Sequence, residues 1–128
     1  MRLLLDTHAL LWAATDDERL SPAAREAVAD PANELLFSAI SAFEIAVKVA
    51  LGKLDLPDGP AAFIATRVAA FGLRELPVTT QHAIEAGALP PIHGDPWDRL
   101  LVAQARIESV PLLTADPVIR RYDVETIW

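Results

Sequence analysis

Hydrophobic positions in this chain fall into two patterns. Short unbroken apolar runs, "RLLL" (residues 2–5), "ELLFS" (34–38) and "PLLT" (111–114), lack the in-and-out alternation of a half-exposed strand. They read as strands of a parallel sheet covered on both faces. "LRELPV" (73–78) predicts a fourth strand, and the closing "VETIW" an alternating edge strand.

Longer segments with helical spacing separate these runs. "PAAREAVA" follows Ser21 as a cap and opens on Pro22, a residue suited to the first helical position. In "SAFEIAVKVALG", Ser41 and Glu44 stand at capping-box spacing and Gly52 supplies a stop. "PAAFIATRVAAFG" is expected to end at Gly72 and "TQHAIEAG" at Gly87, while "DPWDRLLVAQARIES" starts with Asp95 as cap and Pro96 in its first turn. Strands alternating with helices of this length imply βαβ crossovers and an α/β fold, three layers α/β/α with a central, mostly parallel sheet. With 128 residues and neither repeat nor linker, residues 1–128 are expected to form one domain. "GALPPIHGDP" is the most irregular stretch.

Composition narrows the function classes. Hydrophobic residues make up 52% and charged residues 23%, proportions that exclude a disordered chain. No apolar run approaches the ~18 residues of a membrane span, and no signal peptide is visible, so a cytoplasmic protein is expected. The absence of cysteine removes disulfides, thiolate metal sites and thiol nucleophiles. A net charge of -7 argues against an extended nucleic-acid footprint, so a nucleic-acid substrate would need positive charge supplied locally.

The chemistry lies in acids that follow the apolar runs. Asp6 ends the first, Glu44 lies in the first turn of the helix after the second, Asp98 in the first turn of the helix led by "DPWD", and Asp116 directly after "LLTA". In a parallel sheet all four fall at the carboxyl edge, where open α/β sheets bind ligands. Each also has a purely structural reading. Asp6 and Asp116 suit helix caps, Glu44 the return half of a capping box, and Asp98 the positive end of a helix. Gathered on one rim they would repel, and a hard divalent cation such as Mg²⁺ or Mn²⁺ is the natural remedy. Lys48, Arg99, Arg120 and Arg121 are the basic residues near that rim in sequence. No pair among His8, His82 and His93 has ligand spacing; His8 is the histidine best placed to touch a substrate. Trp12 and Trp97 read as packing residues, and Trp128 as closing a strand or a dimer contact.

"LLLDTHALLW", "SAISAFEIAVKVALGKL", "DPWDRLLVAQA" and "LLTADPVI", in that order, resemble the PIN domain, and more narrowly the VapC-type toxins of bacterial toxin–antitoxin pairs. The resemblance runs from the first residues to Tyr122. It implies a Mg²⁺-dependent endoribonuclease (Mn²⁺ as an alternative ion) whose four acids match Asp6, Glu44, Asp98 and Asp116. Asp6 and Asp98 would be the firmest metal ligands, with Glu44 and Asp116 completing the site. Thr114, Thr7 and Asp95 are accessory candidates; Asp95 rivals Asp98, three residues away on the same helix face. The resemblance also implies an RNA substrate such as tRNA or rRNA, a cognate VapB-like antitoxin and a homodimer. The competing readings are a PIN nuclease of RNA processing without an antitoxin and a catalytically idle protein-binding module. An idle module would be expected to lack one of the four acids, and this chain keeps all four. A phosphatase with an aspartate nucleophile would place a second aspartate two residues after Asp6, where His8 stands.

Overall fold

The computed structural model describes residues 1–128. In chain order the elements are β1 (Arg2–Leu5), α1 (Thr7–Ala14), α2 (Pro22–Ala29), β2 (Glu34–Ser38), α3 (Ala39–Ala50), α4 (Pro60–Phe71), β3 (Arg74–Leu76), α5 (Thr80–Ala88), α6 (Pro96–Glu108), β4 (Leu112–Leu113), a 3₁₀ turn (Ile119–Arg121) and β5 (Thr126–Ile127). The strands form one sheet in the order β3-β2-β1-β4-β5, with every pairing parallel.

The unbroken apolar runs have the reason anticipated for them: both faces of each central strand are covered. Leu4, Leu36 and Leu112 point into one core with residues of α5 and α6 such as Ala86, Leu101 and Val102. Leu3, Leu5, Leu35, Phe37 and Leu113 point the other way, toward Leu10, Leu20, Ala24 and Ile45. This is the three-layer α/β/α arrangement. Leu3, Leu4, Leu5, Leu112 and Leu113 are essentially without solvent contact, and each such side chain contributes ~1.5–3 kcal/mol relative to exposure.

Local signals set most element ends. Ser21 caps α2 by accepting the Ala24 N–H at 3.0 Å, and Gly72 closes α4 in the left-handed region, where a side chain would be strained. Two expectations fail. Ser38, not Ser41, caps α3, because β2 passes into the helix without a loop and the Ser38 hydroxyl already accepts the Ile40 N–H. Ser41 and Glu44 therefore lie inside α3 and form no capping box. Nor does α5 stop at Gly87: it runs to Ala88 and ends because Leu89 precedes a proline and is extended. The fourth strand is shorter than expected, as are the pairings of residues 111–114 and of the C-terminus.

Strand order is the feature that positions chemistry. β1 has β2 on one side and β4 on the other, so the chain leaves β1 and β4 in different directions and opens a crevice beyond their carboxyl ends. The ladder continues past both strands. Asp6 N–H donates to Leu113 O at 3.1 Å and Thr114 N–H to Ile127 O at 3.2 Å, which holds Asp6 and Thr114 to the sheet at the crevice floor.

Candidate active site

A cavity of about 290 Å³ opens at this crevice, lined by Asp6, His8, Trp12, Asp98, Ala115 and Asp116. Asp6 thus faces the same space as two acids more than 90 residues further along the chain. A larger hollow of about 370 Å³ at the far end of α6 mixes Arg106 with Asp123 and Glu125, and gathers none of them.

Asp6 and Asp116 have backbone support, and Asp98 follows a residue that does. Asp6 is the N-cap of α1, its Oδ1 accepting the Ala9 N–H at 2.7 Å. Asp116 accepts the Val118 N–H at Oδ1, 2.8 Å, and its own N–H donates to the Thr114 hydroxyl at 3.1 Å. Asp95 is the N-cap of α6, taking the Trp97 N–H at 2.9 Å, and Asp98 follows in the first turn. The capping readings of Asp6 and Asp95 are therefore correct; that of Asp116 is not, because Val118 stands at the start of the 3₁₀ turn and the Asp116 carboxylate instead closes a local turn onto the Val118 N–H. For Asp6 and Asp116 these bonds use one oxygen. A carboxylate has lone pairs to spare, so holding a helix end does not remove it from the cavity.

Electrostatics separate the acids. Burial pushes the Asp6 carboxyl above its ordinary range, against the pull of the Thr114 hydroxyl and the Ala9 amide. Burial, then the neighbouring Asp95 charge, push Asp98 up to about 7, with Glu44 and Asp6 adding to the rise and His93 opposing it. Burial would also raise Asp116, but the His93 ring and the Val118 amide outweigh it and hold this carboxyl low. Glu44 is buried on α3 and bonded to Lys48 Nζ at 2.6 Å, one helical turn on. Thr7 is buried and donates to the Ser41 hydroxyl at 2.9 Å, tying α1 to α3. Thr114 is fully buried and serves both Asp6 and Asp116.

Two basic residues near the rim in sequence are already engaged. Arg99 turns from the cavity to the carbonyls of Ala86 (2.8 Å), Leu89 (3.0 Å) and Pro90 (3.1 Å), where it closes the C-terminus of α5. Lys48 neutralises Glu44. Arg120 and Arg121 remain exposed.

His93 is the residue that spacing did not single out. Its Nε2 lies 2.9 Å from Asp116 Oδ2 and 3.1 Å from Asp98 Oδ2. Ligand-capable atoms of His93, Asp98 and Asp116 all fall within 4.8 Å of one another. The i, i+4 test misses it because its partners come from the start of α6 and from the loop after β4, not from its own segment. Its place in "HGDPWD", directly before the helix that delivers Asp98, was the available signal. His8, expected near substrate, is exposed at the cavity mouth, with its ring 5.5 Å from that of Trp12.

The sequence model of the PIN domain matches residues 3–125. The chain belongs to the PIN-domain family. Over 121 residues it is 34% identical to ribonuclease VapC22 of Mycobacterium tuberculosis, covering 94% of this chain and 91% of that protein. Its fold also resembles VapBC2 from Rickettsia felis bound to a promoter DNA fragment (TM-score 0.71, 15% identity, 98% of this chain and 97% of that one). A toxin–antitoxin complex from Klebsiella pneumoniae is similar as well (TM-score 0.65, 18% identity, 98% and 96% covered). At these identities the solved structures bear on fold alone, and the fold they share is the PIN domain's α/β/α sandwich.

The donor set of this PIN domain suits a hard cation. Its carboxylates offer oxygens, it concentrates negative charge in a partly enclosed space, and burial, with neighbouring acids adding to it, lifts two carboxyl groups above their ordinary range. No helix is long and apolar enough to cross a membrane.

Proposed function

We propose that this PIN domain, acting as one unit over residues 1–128, is the endoribonuclease toxin of a toxin–antitoxin pair. It hydrolyses RNA phosphodiester bonds at a site made of Asp6, Glu44, Asp98 and Asp116. The observation that carries the reading is the convergence of Asp6, Asp98 and Asp116 on one cavity at the sheet's switch point, in a chain 34% identical to a ribonuclease. Asp6 and Asp98 are the principal holders of Mg²⁺, which Mn²⁺ replaces; Asp116 and Glu44 complete the set. When bound, the ion supplies Lewis-acid activation of the phosphodiester and a water of lowered pKa. Thr114 orients Asp6 and Asp116, and Asp95 raises the local negative charge while starting α6. Thr7 is assigned to holding α1 against α3.

A substrate rich in phosphates approaches a chain of net charge -7 most readily through a metal, which supplies positive charge where Lys48 and Arg99 do not. The partners proposed are an RNA such as tRNA or rRNA, a VapB-like antitoxin, and a second copy of the chain in a homodimer; the compartment is the cytoplasm. The test is cleavage of an end-labelled tRNA pool with Mg²⁺, Mn²⁺ or a chelator, comparing the native chain with Asp98→Asn. Discrete fragments that require both metal and Asp98 are expected. Fragments that persist with chelator, or with Asp98→Asn, overturn the proposal.

A further inference from the structure

We propose that His93 sets the cation affinity of this site: its ring N–H occupies Asp116 Oδ2, an oxygen a cation needs, with the nitrogen set against Asp98, and loading the site swings the ring away. The inference rests on the metal-dependent reading above.

The tautomer comes first. His93 Nδ1 accepts the Asp95 backbone N–H at 3.1 Å. A neutral imidazole that accepts at Nδ1 carries its proton on Nε2. The Nε2 N–H therefore donates to Asp116 Oδ2 at 2.9 Å, while Asp98 Oδ2 lies 3.1 Å from the same nitrogen, beside that bond and without one of its own. A histidine that binds metal must present a bare nitrogen. In this seat His93 is thus not a ligand, although its nitrogen lies within ligand reach of both acids. It is a competitor, because a charge-assisted N–H···O bond occupies Asp116 Oδ2 and the ring fills the space between that oxygen and Asp98.

The backbone under the ring is fixed. His93 N–H donates to the Tyr122 hydroxyl at 2.8 Å, that hydroxyl donates to Pro90 O at 3.0 Å, and Arg99 reaches His93 O at 3.5 Å. With the main chain pinned, the displacement proposed here is one of the side chain.

Mn²⁺ binding by calorimetry, with the native full-length chain, His93→Ala, His93→Gln and Asp98→Asn, tests this. His93→Ala is expected to bind Mn²⁺ about tenfold more tightly (~1.4 kcal/mol). His93→Gln, whose amide still donates a hydrogen bond, is expected to lie between that variant and the native chain. Titration of the native chain with Mg²⁺, followed by NMR of the His93 ring, is expected to show loss of the hydrogen-bonded Nε2 proton as the site fills. Affinity unchanged or weaker in His93→Ala, with its circular dichroism intact, overturns the inference while leaving the metal site standing, provided native binding is lost in Asp98→Asn. If the native chain binds no Mn²⁺, the metal-dependent reading falls and this inference falls with it.

Discussion

His82 and His93 each accept a backbone N–H at Nδ1, from Thr79 at 3.0 Å and from Asp95 at 3.1 Å. Each then turns Nε2 toward carboxylate oxygen. Around His82 everything is closed. The ring is buried, it faces a single acid, Glu108, at 3.1 Å, and it completes a capping box at the start of α5 while reaching α6. Around His93 the same bonding pattern faces two acids at a cavity that Asp6 also lines. The histidine chemistry is shared; the excess of uncompensated carboxylates is not. A one-to-one pair satisfies itself and holds two helices together, whereas a ring set among crowded acids belongs to a site that still calls for positive charge.

The largest test of this contrast is catalytic. Asp98→Asn is expected to reduce RNA cleavage by about three orders of magnitude, ~4 kcal/mol of transition-state stabilisation, in single-turnover assays. Glu108→Gln, which alters the acid facing the other histidine, should leave cleavage by folded protein unchanged. Equal losses in the two variants would erase the distinction.

Next in size is stability at the closed joint. His82→Ala removes a buried ring and strands the Thr79 amide and the Glu108 carboxylate, so chemical denaturation should show a loss of about 2–4 kcal/mol. His93→Ala, at the partly open site, should cost less than about 1 kcal/mol.

The pH dependence of stability separates the regions further. Asp98 has its carboxyl raised in the folded state to about 7 from 3.8. The folded protein thus holds that proton more tightly than the unfolded chain, and this group lowers stability progressively as pH rises from about 4 to about 7. Asp6 is raised as well and acts in the same direction; Asp116 is lowered, and its stabilising contribution is lost as pH falls. Asp98→Asn is therefore expected to melt above the native chain at pH 8, with the gap narrowing toward pH 4. A gap that widens on acidification would show that Asp98 is not a strained acid.

The smallest effect is expected at Glu108, whose side chain is about 30% exposed. Glu108→Gln keeps an acceptor for His82 and should shift stability by no more than about 1 kcal/mol in the same denaturation assay.

The sequence carried the core and most helix ends because those depend on nearby residues. Unbroken runs such as Leu3 to Leu5 announce a strand covered on both faces, and Ser21–Pro22 and Asp95–Pro96 announce helix starts. It misled where two local signals competed, as at Ser38 against Ser41, and where a residue's partner came from a distant segment. Arg99, beside Asp98 in the chain, spends its guanidinium on the carbonyls ending α5, and His93, without a partner at ligand spacing, meets two acids.

By itself, then, the sequence determined the alternation of strands and helices, the carboxylates standing after the apolar runs, and the excess of negative charge. Hydrophobic periodicity, caps and composition are properties of short windows and of sums. Only the tertiary structure decided that Asp6, Asp98 and Asp116 share a cavity and that His93 lies beside two of the acids. Those outcomes depend on β4 adding to the side of β1 that β2 leaves free, a choice made by long-range packing of the two cores.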